Sequence, residues 1–192
     1  MRIIAGKFRS RRLRSLRGLE IRPTSDRLRE TLFDVVTAGN PGALEGSVWL
    51  DLYAGTGTVG IEAVSRGAAM VYFVESSRRA AEIIQENLRG LGIESGVRVL
   101  VHDANTAIRE LERSLAPADF IFLDPPYRAR DAYRATLSRL AESPLSEIAV
   151  VIAEHEKKFD PGAEFGRLRR TRKIEQGDAA LSFYKGGGGP HF

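Results

Sequence analysis

The spacing of apolar positions changes period several times along the chain, and each change marks an element. Residues 2–13 alternate apolar and basic positions loosely around Gly6, predicting a short hairpin with one basic face. Gly18 predicts a second turn and Arg22-Pro23-Thr24 an extended link. From Ser25 the period becomes helical: Leu28, Leu32 and Val35/Val36 recur until Gly39-Asn40-Pro41-Gly42 stops the helix.

A regular alternation of strands and helices follows. Residues 48–53 read as a strand, Gly55-Thr56-Gly57-Thr58-Val59-Gly60 as a turn, and the chain to about Arg66 as a short helix. Residues 70–74 form the next predicted strand, ending at Glu75. In the helix predicted over 78–91, Ala81, Ile84, Leu88 and Leu91 share one face and Gly92 ends it. A strand over 97–101 leads to His102-Asp103, and Ala107, Ile108, Leu111 and Leu115 mark another helix. The run Phe120-Ile121-Phe122-Leu123 is a buried strand ending at Asp124; a helix near 132–141 and a strand over 148–153 come next. Such alternation implies right-handed βαβ crossovers and a doubly wound sheet. Residues 167–174 and 179–184, around Gln176-Gly177-Asp178, instead predict an antiparallel hairpin. The glycine-rich residues 186–192 are expected to be a disordered tail.

Composition narrows the class. With 192 residues, 43% hydrophobic and 28% charged, one soluble domain with a small appendage is expected. No apolar run approaches the roughly 18 residues of a membrane span. Ile3-Ile4-Ala5 is too short for the apolar region of a signal peptide, so a cytoplasmic protein is expected. The absence of cysteine excludes a thiolate nucleophile and a disulfide framework. His102, His155 and His191 are widely separated, and no metal is expected. Charge is uneven: residues 1–29 carry ten Lys and Arg against Glu20 and Asp26, whereas the remainder carries 19 basic against 23 acidic residues. The positive N-terminal arm, residues 1–24, suggests a polyanion contact ahead of a main domain over 25–185.

Two motifs carry chemistry. The first is Asp124-Pro125-Pro126-Tyr127. Two prolines turn the chain out of the sheet and donate no N–H groups, leaving a carboxylate, a bare, unpaired carbonyl and an aromatic ring at the carboxyl end of a strand. In an open α/β sheet ligands bind at that edge. The set suits a planar base bearing an exocyclic amine. The second motif, Gly55-x-Gly57-x-x-Gly60 between a strand and a helix, fits the dinucleotide fingerprint, with Glu75 twenty residues beyond Gly55 as the ribose acid. Nicotinamide dinucleotide and S-adenosylmethionine (SAM) both want this turn. Asp51, placed to meet the ammonium of a methionine group, Asp103, placed to accept from an adenine amine, and the lack of a separate hydride-transfer domain favour SAM.

Taken together, Arg2-Ile3-Ile4-x-Gly6, Arg22-Pro23-Thr24-x-Asp26-Arg27-x-Arg29-Glu30-x-Leu32-Phe33, Asp51-x-x-Ala54-Gly55-Thr56-Gly57 and Asp124-Pro125-Pro126-Tyr127 resemble the RsmD family over residues 2 to about 185. Those are bacterial methyltransferases acting on guanine N2 in small-subunit ribosomal RNA. The resemblance implies an α/β, Rossmann-like class I SAM-dependent methyltransferase. Its sheet would be mostly parallel and seven-stranded, with a C-terminal antiparallel hairpin and a small N-terminal β-hairpin arm. It also implies SAM held by Asp51, Tyr53, Ala54, Gly55, Thr56, Gly57, Glu75 and Asp103, and 16S rRNA in the small subunit or an assembly intermediate as partner. A monomer is expected.

The implied mechanism has Asp124 and the Pro125 carbonyl accept the two N–H bonds of the guanine amine, beside Pro126, while Tyr127 stacks on the base. Arg2, Lys7, Arg9, Arg11, Arg12, Arg22, Arg27 and Arg29 would hold flanking phosphates. Phe8 is open to base stacking or to packing, and the basic segment 167–173 to RNA contact or to edge protection. The Asp-Pro-Pro-Tyr motif alone also admits adenine N6 or cytosine N4 as the target. The rivals in other classes are an NAD-dependent oxidoreductase and a non-catalytic RNA-binding assembly factor.

Overall fold

Ser25 accepts a hydrogen bond from the Leu28 N–H, and this cap starts helix α1, Asp26–Thr37. Leu28, Leu32 and Phe33 lie on its buried face, Phe33 stacking on Trp49 at 5.3 Å. In the computed structural model, which describes residues 1–15, 25–114 and 117–187, two compact units form: Met1–His102 and Asp103–Phe192.

The first unit holds α1, β1 (Val48–Leu52), α2 (Thr58–Ser65), β2 (Met70–Val74), α3 (Arg78–Leu91) and β3 (Val97–Leu100). Its strands lie in the order β3-β2-β1, all parallel, with Val48 opposite Met70 and Val71 opposite Val97. β2 is an unbroken apolar run, as expected for a central parallel strand, whereas β1 carries the buried Asp51 and the edge strand β3 an exposed Arg98. Gly92, at φ +69°, ends α3 as predicted. The expected hairpin at the N-terminus forms through an antiparallel bridge between Arg2 and Arg12, with Ile3 and Ser10 N–H groups donating to Arg11 and Ile3 carbonyls.

The second unit holds α4 (Ala104–Leu111), β4 (Phe120–Leu123), α5 (Arg130–Glu142), a 3-10 turn over Pro144–Ser146, β5 (Val150–Glu156), β6 (Glu164–Phe165), β7 (Leu168–Gln176) and β8 (Ala179–Gly186). Its strand order is β4-β5-β8-β7-β6; β4 and β5 are parallel and the remainder antiparallel. The seven expected strands all form, and the two-residue β6 adds an eighth among the described residues.

Several boundaries differ from expectation. β5 starts two residues late, leaving Ile148 66% exposed, and continues through Glu154 and His155. Its antiparallel ladder to β8 reaches Glu156–Ala179, so pairing carries polar residues that local pattern assigned to a loop. α5 begins at Arg130 and ends at Glu142, longer than predicted at both ends. Gly186 closes β8, so it belongs to the sheet and not to the tail. Gly18, the Arg22-Pro23-Thr24 link, Leu115 and residues 188–192 lie outside the described residues. Among the described residues no helix is long and apolar enough to cross a membrane.

Candidate active site

In the first unit, the glycine turn is built by backbone. β1 ends at Leu52, and Tyr53 takes the left-handed conformation, φ +66°, which is rare for a residue with a Cβ. Ala54 N–H donates to Val74 O at 2.9 Å and Gly57 N–H to Ala54 O at 2.8 Å. Gly55 and Gly57 both have positive φ, +56° and +82°, but face different surroundings. A Cβ on Gly55 would meet no atom within 4 Å, whereas one on Gly57 would press on Ile84 at 3.2 Å. Gly57 caps α2, so its N–H donors and those of the first turn lie at the positive end of a helix dipole.

Two carboxylates brace this turn. Glu75 follows β2 and accepts from Gly55 N–H at 2.8 Å and Ser77 N–H at 2.7 Å. Each of its oxygens keeps a further lone pair, which suits ribose hydroxyls. Asp51 is buried in β1 and accepts from Gly60 N–H at 2.8 Å. Burial raises its pKa to about 7; the Glu75 charge adds to this and the Gly60 hydrogen bond opposes it. A Cβ on Gly60 would lie 2.3 Å from the Phe73 ring, so this third glycine serves helix–strand packing. The donor set and the open backbone at Gly55 fit a cationic nucleoside such as SAM.

In the second unit, Asp103 caps α4. Its carboxylate accepts from Thr106 N–H at 3.0 Å and Thr106 Oγ1 at 2.6 Å, and these bonds hold its pKa below the usual carboxylate value. Capping accounts for an Asp here without any ligand.

β4 is buried throughout and delivers Asp124, half-buried, to its carboxyl end. Pro125 is buried, Pro126 exposed and Tyr127 half-buried. The Pro126 carbonyl accepts from Ala129 N–H at 2.7 Å, folding the exit into a turn. The Pro125 carbonyl, expected to be bare, accepts from the Tyr133 hydroxyl at 3.2 Å. One of its lone pairs is therefore taken and one remains.

Within the first unit the arm docks on α2. Ile4 and Ala5 N–H groups donate to the Glu62 carboxylate at 2.8 and 2.9 Å, Lys7 N–H to Ser65 O at 2.7 Å, and Phe8 N–H to Ser65 Oγ at 3.0 Å. Arg2, Lys7, Arg9, Arg11, Arg12 and Arg27 are exposed. Met1, Arg2, Ser10, Arg12, Leu13 and Asp26 surround an open hollow of about 520 Å³. Arg29 is the exception. It is fully buried, donates to the Arg2 carbonyl at 2.6 Å and pairs with Asp26 at 3.0 Å, so it anchors the arm and is not presented to a phosphate. Arg22 lies outside the described residues.

Comparison with known proteins places these features. The family model described as "Conserved hypothetical protein 95", the RsmD family, matches residues 1–185. The chain belongs to this family. YlbH of Bacillus subtilis, provisionally named an rRNA methyltransferase, is 32% identical over 96% of this chain and 98% of its own. Ribosomal RNA small subunit methyltransferase D of Haemophilus influenzae is 34% identical over 82% of this chain and 79% of its own. The solved structure of Escherichia coli yhhF, provisionally titled a methyltransferase, superposes with TM-score 0.79 at 27% identity over 96% of both chains. The Rossmann-like methyltransferase fold implied by the family resemblance is the fold observed.

Four residues of this RsmD-family chain escaped the sequence reading. Glu62 and Ser65 hold the arm, and the only local signal is an acid and a hydroxyl within a short helix that is otherwise apolar or small. Asn87 sits on the apolar face of α3. Its side chain accepts from Arg14 N–H at 2.8 Å and donates to Thr56 O at 3.1 Å, tying the arm to the glycine turn. Tyr133 is an aromatic on the inner face of α5, indistinguishable by pattern from a core residue.

The basic segment 167–173 is largely partnered within its own unit. Arg169 pairs with Glu164, Arg170 with Asp160 at 2.6 Å, and Lys173 with Glu175 at 3.2 Å, while Arg167 donates to the Ser143 carbonyl. Phe8 is half-buried, with the Lys7 ammonium 5.3 Å from its ring centroid. Among the described residues no group of three or more His, Cys, Asp or Glu is placed to hold a metal ion.

Proposed function

We propose that this protein transfers a methyl group from SAM to the exocyclic N2 of a guanine in 16S ribosomal RNA. The observation that carries the reading is the exit of β4, where a half-buried carboxylate, a proline carbonyl with one lone pair taken and a half-buried aromatic residue follow one another within four positions. The names of the relatives, one of them a small-subunit rRNA methyltransferase, support the substrate class.

Glu75 and the Gly55–Gly57 backbone hold the nucleoside, and Asp51 takes the ammonium of its amino acid. When bound, SAM supplies a methyl group on a positively charged sulfur. Asp124 and Pro125 O accept the two N–H bonds of the amine, which turns its lone pair out of conjugation with the ring and stabilises positive charge as it develops. Holding the amine in line supplies much of the remaining rate. Tyr127 stacks on the base, worth roughly 1–3 kcal/mol. Asp124 takes up the proton as the methylated nitrogen becomes acidic. Paired guanine N2 lies in the minor groove, so the base must be looped out or flipped, at a cost of a few kcal/mol. Arg2, Lys7, Arg9, Arg11, Arg12 and Arg27 hold the flanking phosphates. By this reading the protein works in the cytoplasm as a monomer and needs no metal.

The test is transfer from tritiated SAM to small subunits isolated from a strain lacking the protein, followed by nucleoside analysis. N2-methylguanosine is expected. Label in N6-methyladenosine or N4-methylcytidine would overturn the choice of base, and absence of label would overturn the activity.

A further inference from the structure

A proline carbonyl leaving a sheet is awkward to aim. β4 ends at Leu123, and neither Pro125 nor Pro126 carries an N–H to tie the segment into a ladder. Pro125 is nevertheless buried, and a buried carbonyl needs a donor. Tyr133, on the first turn of α5 and 1% exposed, supplies it through its hydroxyl at 3.2 Å. Its ring is held in turn by Phe159, with centroids 5.2 Å apart. Phe159 carries the Arg130 guanidinium 5.3 Å from its centroid on one side and meets the His155 ring edge-on at 6.3 Å. Burial, and after it the charge of Asp124, pushes the phenol pKa upward, so the hydroxyl remains a donor.

We propose that Tyr133 is a positioning residue for methyl transfer: its hydroxyl occupies one lone pair of Pro125 O and leaves the other, in a fixed direction, for one N–H of the amine. This rests on the function proposed above. Two hydrogen bonds to one carbonyl compete for the same electron density, so Tyr133 weakens Pro125 O as an acceptor while aiming it. The sign of the effect therefore separates the two roles. If acceptor strength mattered most, removing the hydroxyl would leave transfer unchanged or faster. If direction matters most, transfer slows, because a misplaced acceptor forfeits the near-attack geometry.

The experiment compares Tyr133→Phe, which keeps the ring, with Asp124→Ala and wild type. SAM affinity is measured by calorimetry, RNA KM at steady state, and the single-turnover rate is normalised to the SAM-binding fraction so that partial unfolding does not enter. For Tyr133→Phe the single-turnover rate should fall about five- to tenfold, the effect of one neutral hydrogen bond. SAM affinity and RNA KM should stay within about twofold. A normalised rate equal to or above wild type, with or without a lower melting temperature, would reduce Tyr133 to packing and overturn the inference. If that happens while Asp124→Ala is inactive, the proposed function stands and this inference alone fails. If Asp124→Ala turns over like wild type, the acceptor pair itself fails and the inference falls with it.

Discussion

Arg29 and Glu62, both fully buried, face each other with Nε and Oε2 3.7 Å apart, and the N-terminal arm is tied to both. Arg29 donates to the Arg2 carbonyl, while Glu62 accepts from Ile4 and Ala5 N–H groups and from Arg66 Nε at 2.9 Å. The seat of the basic arm is thus an interior charge cluster, and its exposed cations are held out from a fixed backbone. Burial lowers the Arg29 pKa, opposed by Glu62 and then Asp26, as expected for a cation whose retention depends on its partners.

Arg27 and Arg29 should therefore separate by experiment. Removing one partner of a buried ion pair costs about 3–5 kcal/mol, so Arg29→Ala should sharply lower the denaturation midpoint. Arg27→Ala should leave stability within about 0.5 kcal/mol and reduce the salt slope of RNA binding by about one. Urea titrations and binding isotherms at several salt concentrations read both. A stable Arg29→Ala variant that binds RNA weakly would return Arg29 to the phosphate contacts.

Gly6 takes φ +80°, and a Cβ there would lie 1.8 Å from the Ser65 carbonyl oxygen. Gly6→Ala must lift the arm from α2. Trypsin should then cleave at Lys7, Arg9, Arg11 or Arg12 faster than in wild type, and RNA affinity should fall while SAM affinity holds. Unchanged cleavage and RNA binding would show that the docked arm is not needed.

The two glycines of the turn should fail differently. Gly57→Ala drives a methyl toward Ile84 at positive φ, so it should cost about 1–3 kcal/mol of stability. Gly55→Ala carries about 1–2 kcal/mol of conformational strain but meets no protein atom. Its larger effect should be on SAM affinity measured by calorimetry, after correction for the folded fraction. Equal SAM affinity in Gly55→Ala and wild type would move the cofactor away from this backbone.

Asp51 has its pKa raised from 3.8 to about 7, so if it takes the ammonium as proposed, SAM binding should be proton-linked. A cationic ammonium favours the ionised carboxylate, so binding below pH 7 releases a proton. Affinity should rise by up to tenfold per pH unit toward 7 and then level. Calorimetry at pH 6.5 in buffers of different ionisation enthalpy checks this; identical heats would remove Asp51 from the ammonium site. Stability follows the same group. Between pH 3.8 and 7 the native state holds a proton that the unfolded chain has lost, so this term lowers stability as pH rises. Asp51→Asn should flatten that part of the profile.

The chain's own pattern determined the alternating elements, the glycine turn and the proline exit at Asp124, because each depends on residues close in sequence or on a fixed period. The bond from Gly55 N–H to Glu75, in contrast, joins separate elements and was not legible. The strand limits at β5 and β8 were not legible, since a ladder between residues far apart in sequence can carry Glu154, His155 and Gly186 in extended form. Nor could residue type divide the basic residues. Arg27 and Arg29 differ by two positions, about 200° around a helix, and only packing decides which meets solvent and which is sealed against Glu62. Tertiary structure alone brought the Tyr133 hydroxyl to the Pro125 carbonyl and Asn87 to Thr56. Hydrogen bonds between separate elements leave no periodic trace, so the groups that aim the chemistry were the last to be readable.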